Sequence, residues 1–126
     1  MDRFAAAGLV LDALAHPDRR VAVVAARQPE SRACLEAVAA AATASAGGAM
    51  VKRVQRTNGD ESISFVNGSR IIFRSARQSL RGRLLDVIFV HPDVPRHVLD
   101  DRQWKEWRRE HEPCLLARQG ELVFAW

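Results

Sequence analysis

Two short runs, Val21-Ala22-Val23-Val24-Ala25-Ala26 and Val87-Ile88-Phe89-Val90, are continuously apolar, and they limit the fold more than any other feature of the chain. A strand with water on one face alternates apolar and polar residues, because successive side chains point to opposite sides. An unbroken apolar run of this length is expected where helices cover both faces, as in parallel sheets. Both runs read as central strands of a three-layer α/β domain. Pro92 and Pro95 halt the second.

Helices are expected around them. Phe4, Ala7, Leu11 and Leu14 recur at helical spacing before His16-Pro17-Asp18, which predicts an amphipathic helix with that face buried. Pro29 and Glu30 suit the first turn of a second, alanine-rich helix that buries Leu35, Val38 and Ala42 and ends near Gly47-Gly48. Strands follow at Met50 to Arg56, Glu61 to Val66 and Arg70 to Ser75, the last two joined by the hairpin signal Asn67-Gly68. They form an antiparallel ribbon that enters the main sheet through its last member. Ser75 to Leu85 is polar and basic, and reads as a loop. A charged helix from Arg96 to Glu112 carries Leu99, Trp104 and Trp107 on one side, and Pro113 ends it. Cys114 to Ala117 and Glu121 to Trp126, around Gln119-Gly120, read as a closing β-hairpin. With 126 residues, 48% of them hydrophobic, the chain supports one core, so residues 1–126 are read as a single domain.

No stretch reaches the ~20 uninterrupted apolar residues of a membrane-spanning helix. Met1-Asp2-Arg3-Phe4 lacks the layout of a secretion signal, so a cytoplasmic protein is expected. Cys34 and Cys114 have no partner at metal-ligand spacing and read as two buried thiols, with a disulfide as the alternative. The net charge of +4 is carried almost wholly by arginine, Lys52 and Lys105 being the only lysines. That balance is compatible with nucleic acid or another acidic partner.

The segment from Thr57 to Phe73, with Asn67-Gly68-Ser69-Arg70 at its turn, continues through Ser75-Ala76-Arg77 and Arg81-Gly82 into Asp86-Val87-Ile88-Phe89-Val90. In order and spacing it resembles the stretch of phage terminase large subunits that runs from a β-hairpin, through an Arg-Gly loop, into the strand carrying the Walker B acids. Arg20 to Ala26 and the helix after Pro29 are similar to the strand and helix that follow the family's nucleotide-binding helix. The resemblance spans roughly residues 10 to 92. It implies a P-loop-NTPase-like (RecA/terminase-like) core fragment, with parallel central strands, an antiparallel ribbon and a C-terminal helix plus β-hairpin. ATP hydrolysis in that family needs a Gly-rich loop ending in Gly-Lys-Ser/Thr and an Asp-Glu pair after the Walker B strand. The sequence contains no such loop, and His91 and Pro92 occupy the two acidic positions. Asp93 comes too late, after a rigid proline, to replace them. The expectation is a degenerate, non-catalytic ATPase-like fold with no catalytic residue, metal or cofactor.

His91-Pro92-Asp93 reads as a strand-ending turn. A metal or acid/base site with His97 or His16 is the sharper alternative, but no fixed ligand spacing links these residues. Arg70, Arg74, Arg77, Arg81 and Arg83 accumulate on the third ribbon strand and the following loop. They are candidates for binding nucleic acid or phosphate if that loop lies at the carboxyl edge of the sheet, against the plain reading of a solvated rim. Trp104, Trp107 and Trp126 pack the last helix and hairpin onto the sheet, or else form a partner interface. Two functions follow as expectations: a phage- or prophage-derived terminase-like protein that binds a protein partner (itself, a phage motor or a host nucleotide-fold protein), or a DNA-binding protein using the Arg74 to Arg83 loop. A residual hydrolase or nuclease at His91 and Asp93 is a third reading.

Overall fold

The fold is that of a computed structural model describing residues 1–44 and 46–124; the expected interface residue Trp126 lies outside the described residues. The elements are α1 (Arg3–Ala15), β1 (Arg20–Ala25), α2 (Gln28–Ala44), a 3-10 segment (Ala46–Met50), β2 (Val51–Gln55), β3 (Glu61–Phe65), β4 (Arg70–Ser75), β5 (Val87–Val90), one π-helical turn (Val94–Val98), α3 (Asp101–His111), α4 (Pro113–Leu116) and β6 (Glu121–Phe124). They build one six-stranded sheet in the order β2-β3-β4-β1-β5-β6. β4, β1, β5 and β6 run parallel, while β3 is antiparallel to β4 and β2 to β3. Among the described residues no helix is long and apolar enough to cross a membrane.

The central strands sit between two helical layers, as their unbroken apolar runs require. On one face Val21, Val23 and Ala25 pack with Ile71, Phe73, Leu35, Val38, Leu9 and Val10; on the other Ala22, Val24, Ile72, Ile88 and Val90 pack with Leu80, Leu85, Leu99, Trp107 and Leu115. Each large aliphatic side chain enclosed this way contributes about 1.5–3 kcal/mol relative to exposure. Cys34 and Cys114 are buried free thiols in opposite layers, so the sheet separates them.

α1 turns the other way from the sequence expectation. Its buried face is Ala6, Leu9, Val10 and Ala13, whereas Phe4 is 75% and Leu11 65% exposed. The helix is apolar around most of its circumference, so periodicity could not choose a face.

The Asn67-Gly68 turn also differs in detail. Only Gly68 takes a positive φ (88°), and a three-residue loop closes with Phe65 N donating to Ser69 O. The turn side chains then anchor α1: Asn67 Nδ2 donates to Ala13 O at 2.8 Å, and Ser69 Oγ lies 2.8 Å from the carbonyls of both Ala13 and His16. These are carbonyls that a helix end leaves without partners.

The C-terminal third needs two corrections. The expected helix from Arg96 to Glu112 is broken, because Asp100 caps a fresh helix by a reciprocal bond pair with Gln103. The expected closing hairpin is absent. Pro113 enters the first turn of α4, and β6 lies parallel to β5 with Val87 opposite Glu121. Gly120 makes this crossing possible, since a Cβ there would stand 2.6 Å from the carbonyl oxygens of both Leu85 and Asp86.

Candidate functional site

Open α/β sheets hold ligands outside the carboxyl ends of their parallel strands. At that edge a cleft of about 210 Å³ is lined by Ala25, Glu30, Cys34, His91 and Asp93, among others. His91 is held as part of a turn: its N–H donates to Val24 O, its Nδ1 accepts from Asp93 N at 3.0 Å, and its carbonyl accepts from Val94 N. Pro92 offers no side-chain donor or acceptor. An imidazole whose Nδ1 takes a backbone proton and a proline do not make the oxygen-rich site that Mg²⁺ requires. Burial pushes the Cys34 thiol up to about 11, so it is no thiolate nucleophile near neutrality. Among the described residues no three His, Cys, Asp or Glu side chains cluster closely enough to share a metal ion. His16 stands at the end of α1, next to Asp12, on the opposite edge from His91, and His97 is exposed on the π-helical turn.

The five candidate arginines do not form one patch. Arg74 is 3% exposed and structural: Nη1 donates to Glu61 O and Phe73 O at 2.9 and 2.8 Å, and Nη2 pairs with Asp60 at 3.0 Å. Burial, then the nearby Arg83 and Arg70 charges, lower its pKa against the pull of Asp60 and Glu61. Arg77 reaches Val98 O, and Arg81 pairs loosely with Glu110 on α3. Arg70 and Arg83 instead meet at the amino ends of β1 and β4. There they line a cleft of about 460 Å³ with Arg20, whose role no local sequence pattern marks.

Beside this cleft Asp86 ties the sheet edge together. It accepts from Arg20 N at 2.8 Å and from Arg118 Nε at 3.0 Å, while Arg118 also donates to Asp18 O at 2.7 Å. Burial raises the Asp86 pKa, but these bonds outweigh it and hold the carboxyl below its ordinary range.

Trp104 and Trp107 face inward. Trp107 is buried and Trp104 half-buried; their rings stack at 5.2 Å, with Phe124 of β6 and His111 packed at 5.7 and 4.5 Å from Trp104 and Trp107 respectively. They fasten α3 to the sheet, which leaves Trp107 no free face for a partner.

No protein-family model and no curated protein matches the sequence. Among solved structures, the ATPase domain of the large terminase of Thermus phage P74-26 superposes with a TM-score of 0.73 at 18% identity. A mutant of that domain superposes at 0.67. Each match covers 95% of this chain but 52% of the other, so the chain spans about half the length of the domain it matches. The likeness expected over roughly residues 10 to 92 thus extends over nearly the whole chain as a shared fold: this protein is built on the α/β architecture of a phage large terminase ATPase domain.

Proposed function

We propose that this chain acts by binding another protein and does not itself turn over ATP. One observation carries the reading, a continuous surface running from α1 to the outer edge of β6 that no element among the described residues covers. Phe4, Ala7, Gly8 and Leu11 form an exposed apolar stripe on α1. Gly8 borders a groove of about 300 Å³ walled by Leu9, Val87, Phe89 and Val123, and Val123 belongs to β6, the last strand of the sheet. A polypeptide segment with alternating apolar residues fits this surface, adding a strand to β6 while its side chains enter the groove. The His91-Pro92 turn, lacking both carboxylates, agrees with a scaffold that keeps the fold without the chemistry. A second copy, a phage motor protein and a host nucleotide-fold protein are the partners to distinguish.

The test has two arms. Phosphate release from Mg-ATP by the purified protein should equal that of a His91→Ala/Asp93→Ala double variant; release above it would overturn the reading. Light scattering, and crosslinking in expressing cells, should give a defined complex that Val123→Glu and Leu11→Glu abolish and Arg109→Gln, at an exposed position of α3, leaves intact. A complex indifferent to both edge substitutions would remove this surface from consideration.

A further inference from the structure

The register of the sheet brings cations together that are far apart in sequence. Arg20 at the start of β1 is the direct neighbour of Arg70 at the start of β4, which lies opposite Ser64 of β3, which lies opposite Arg53 of β2. Paired residues on adjacent strands point to the same face, and adjacent strands are about 4.8 Å apart. Arg20, Arg70 and Arg53 therefore occupy one row across the sheet, on the side away from α2, and Arg83 of the 80s loop joins Arg20 and Arg70 in lining the cleft.

Little negative charge answers them. Asp18 lies 3.5 Å from Arg20 but is shared with Arg118, and Arg70 makes only a 3.4 Å bond to Ser62 Oγ. Among the described residues no carboxylate pairs with Arg53, Arg70 or Arg83. Like charges held this close repel one another, and an anion seated between them would relieve that. The cleft they border is not purely polar, because Val21, Ile72, Leu84 and Leu85 supply its aliphatic lining and Leu84 is 47% exposed.

We propose that this amino-edge cleft is a carboxylate site for an acidic segment of a protein partner, with Arg20, Arg70 and Arg83 gripping its Glu or Asp side chains and the aliphatic lining receiving its apolar ones. The proposal rests on the protein-binding reading above and adds a second contact on another face. Guanidinium forks match carboxylates in a bidentate manner. Single-stranded nucleic acid is held by cations along a track with aromatic rings for the bases, and among the described residues no aromatic ring lines this cleft.

The test is fluorescence anisotropy at low and moderate salt with three labelled probes: a short peptide of Glu and Leu, the same peptide with Gln for Glu, and oligothymidylate of equal charge. The Glu peptide should bind and the Gln peptide should not. Arg20→Gln/Arg70→Gln/Arg83→Gln should weaken binding at least about tenfold, since each lost charged hydrogen bond is worth more than a factor of ten. Arg96→Gln/Arg102→Gln/Arg109→Gln, which removes the same charge from other surfaces, should change it little. Thermal melts check that both variants fold, and Arg83→Gln alone serves if the triple cleft variant does not. Absent Glu-peptide binding, equal loss in the two triple variants, or tighter binding of oligothymidylate would each overturn the proposal. Failure here with edge-dependent complex formation intact would cost only this site, whereas loss of Val123-dependent complex formation would count against the broader reading.

Discussion

At the carboxyl edge of the parallel strands Arg74 is enclosed among two carbonyls and Asp60, and His91 is fixed by the backbone N–H of Asp93. At the amino edge Arg20, Arg70 and Arg83 stand around an open cleft with little to answer their charge. Arg70 and Arg74 make the contrast sharp, since they share a strand and a face and differ only in which end they occupy. The same residue type is a structural bolt at one end and an available cation at the other. Residue type and spacing therefore say little about an arginine's role until the sheet fixes which edge it meets.

The largest expected effect would break this contrast if it failed. Arg74→Met leaves the Glu61 and Phe73 carbonyls without their buried donor, and should cost about 2–4 kcal/mol, less than a fully enclosed pair because Asp60 stays half-exposed. Arg70→Met, four residues earlier, should fall within about 0.5 kcal/mol of the parent, as an exposed substitution does. Urea midpoints at constant slope measure both. Equal losses would mean that the two ends are built alike.

A second, smaller effect separates the cleft from the bracing beside it. Arg118→Ala removes the charged hydrogen bonds to Asp86 and Asp18 and should lower the urea midpoint by less than Arg74→Met does, because solvent screens this more open pair. The Asp86 carboxyl sits below its ordinary value near 3.9, so its contribution is complete above about that pH and declines as pH falls through the depressed folded value. Asp86→Asn should flatten the acid limb of the stability curve without altering binding of the Glu peptide. A parallel loss of binding would make the bracing and the cleft one unit.

Much of the fold is legible in the sequence for a physical reason. β1 and β5 are enclosed on both sides, and an unbroken apolar run is the direct imprint of that. What escaped depended on choices the local sequence leaves degenerate. Cys114-Leu115-Leu116 is too short for periodicity to separate strand from helix, and Pro113 together with the Gly120 crossing decides it. α1 has apolar residues on two faces, so only packing reveals that Phe4 and Leu11 are the unused ones. The Asp100-Gln103 capping box was present in the sequence as a start signal and would have placed the break before α3. Arg20 and Arg70 meet only through a parallel pairing 50 positions apart, which no local pattern records.

The smallest effect sharpens the comparison by acting on neither edge. His111 is 3% exposed, packs at a tilt against the Trp107 ring, places Nδ1 2.9 Å from Trp107 O, and has a buried Nε2 with no partner among the described residues. Burial lowers its pKa despite the bond to Trp107 O and the nearby Glu110 charge, because a second ring proton would have no acceptor. The unfolded chain therefore binds the proton first. Stability is complete above the ordinary histidine value of about 6.5 and declines as pH falls from there toward the lower folded value. The decline should amount to about 1 kcal/mol or less by pH 5, accompanied by a change in tryptophan emission as α3 loosens. His111→Leu should remove both while leaving the Arg74 penalty and Glu-peptide binding unchanged. If peptide binding followed the His111 titration, the helix layer would be coupling the two edges that the sheet otherwise keeps apart.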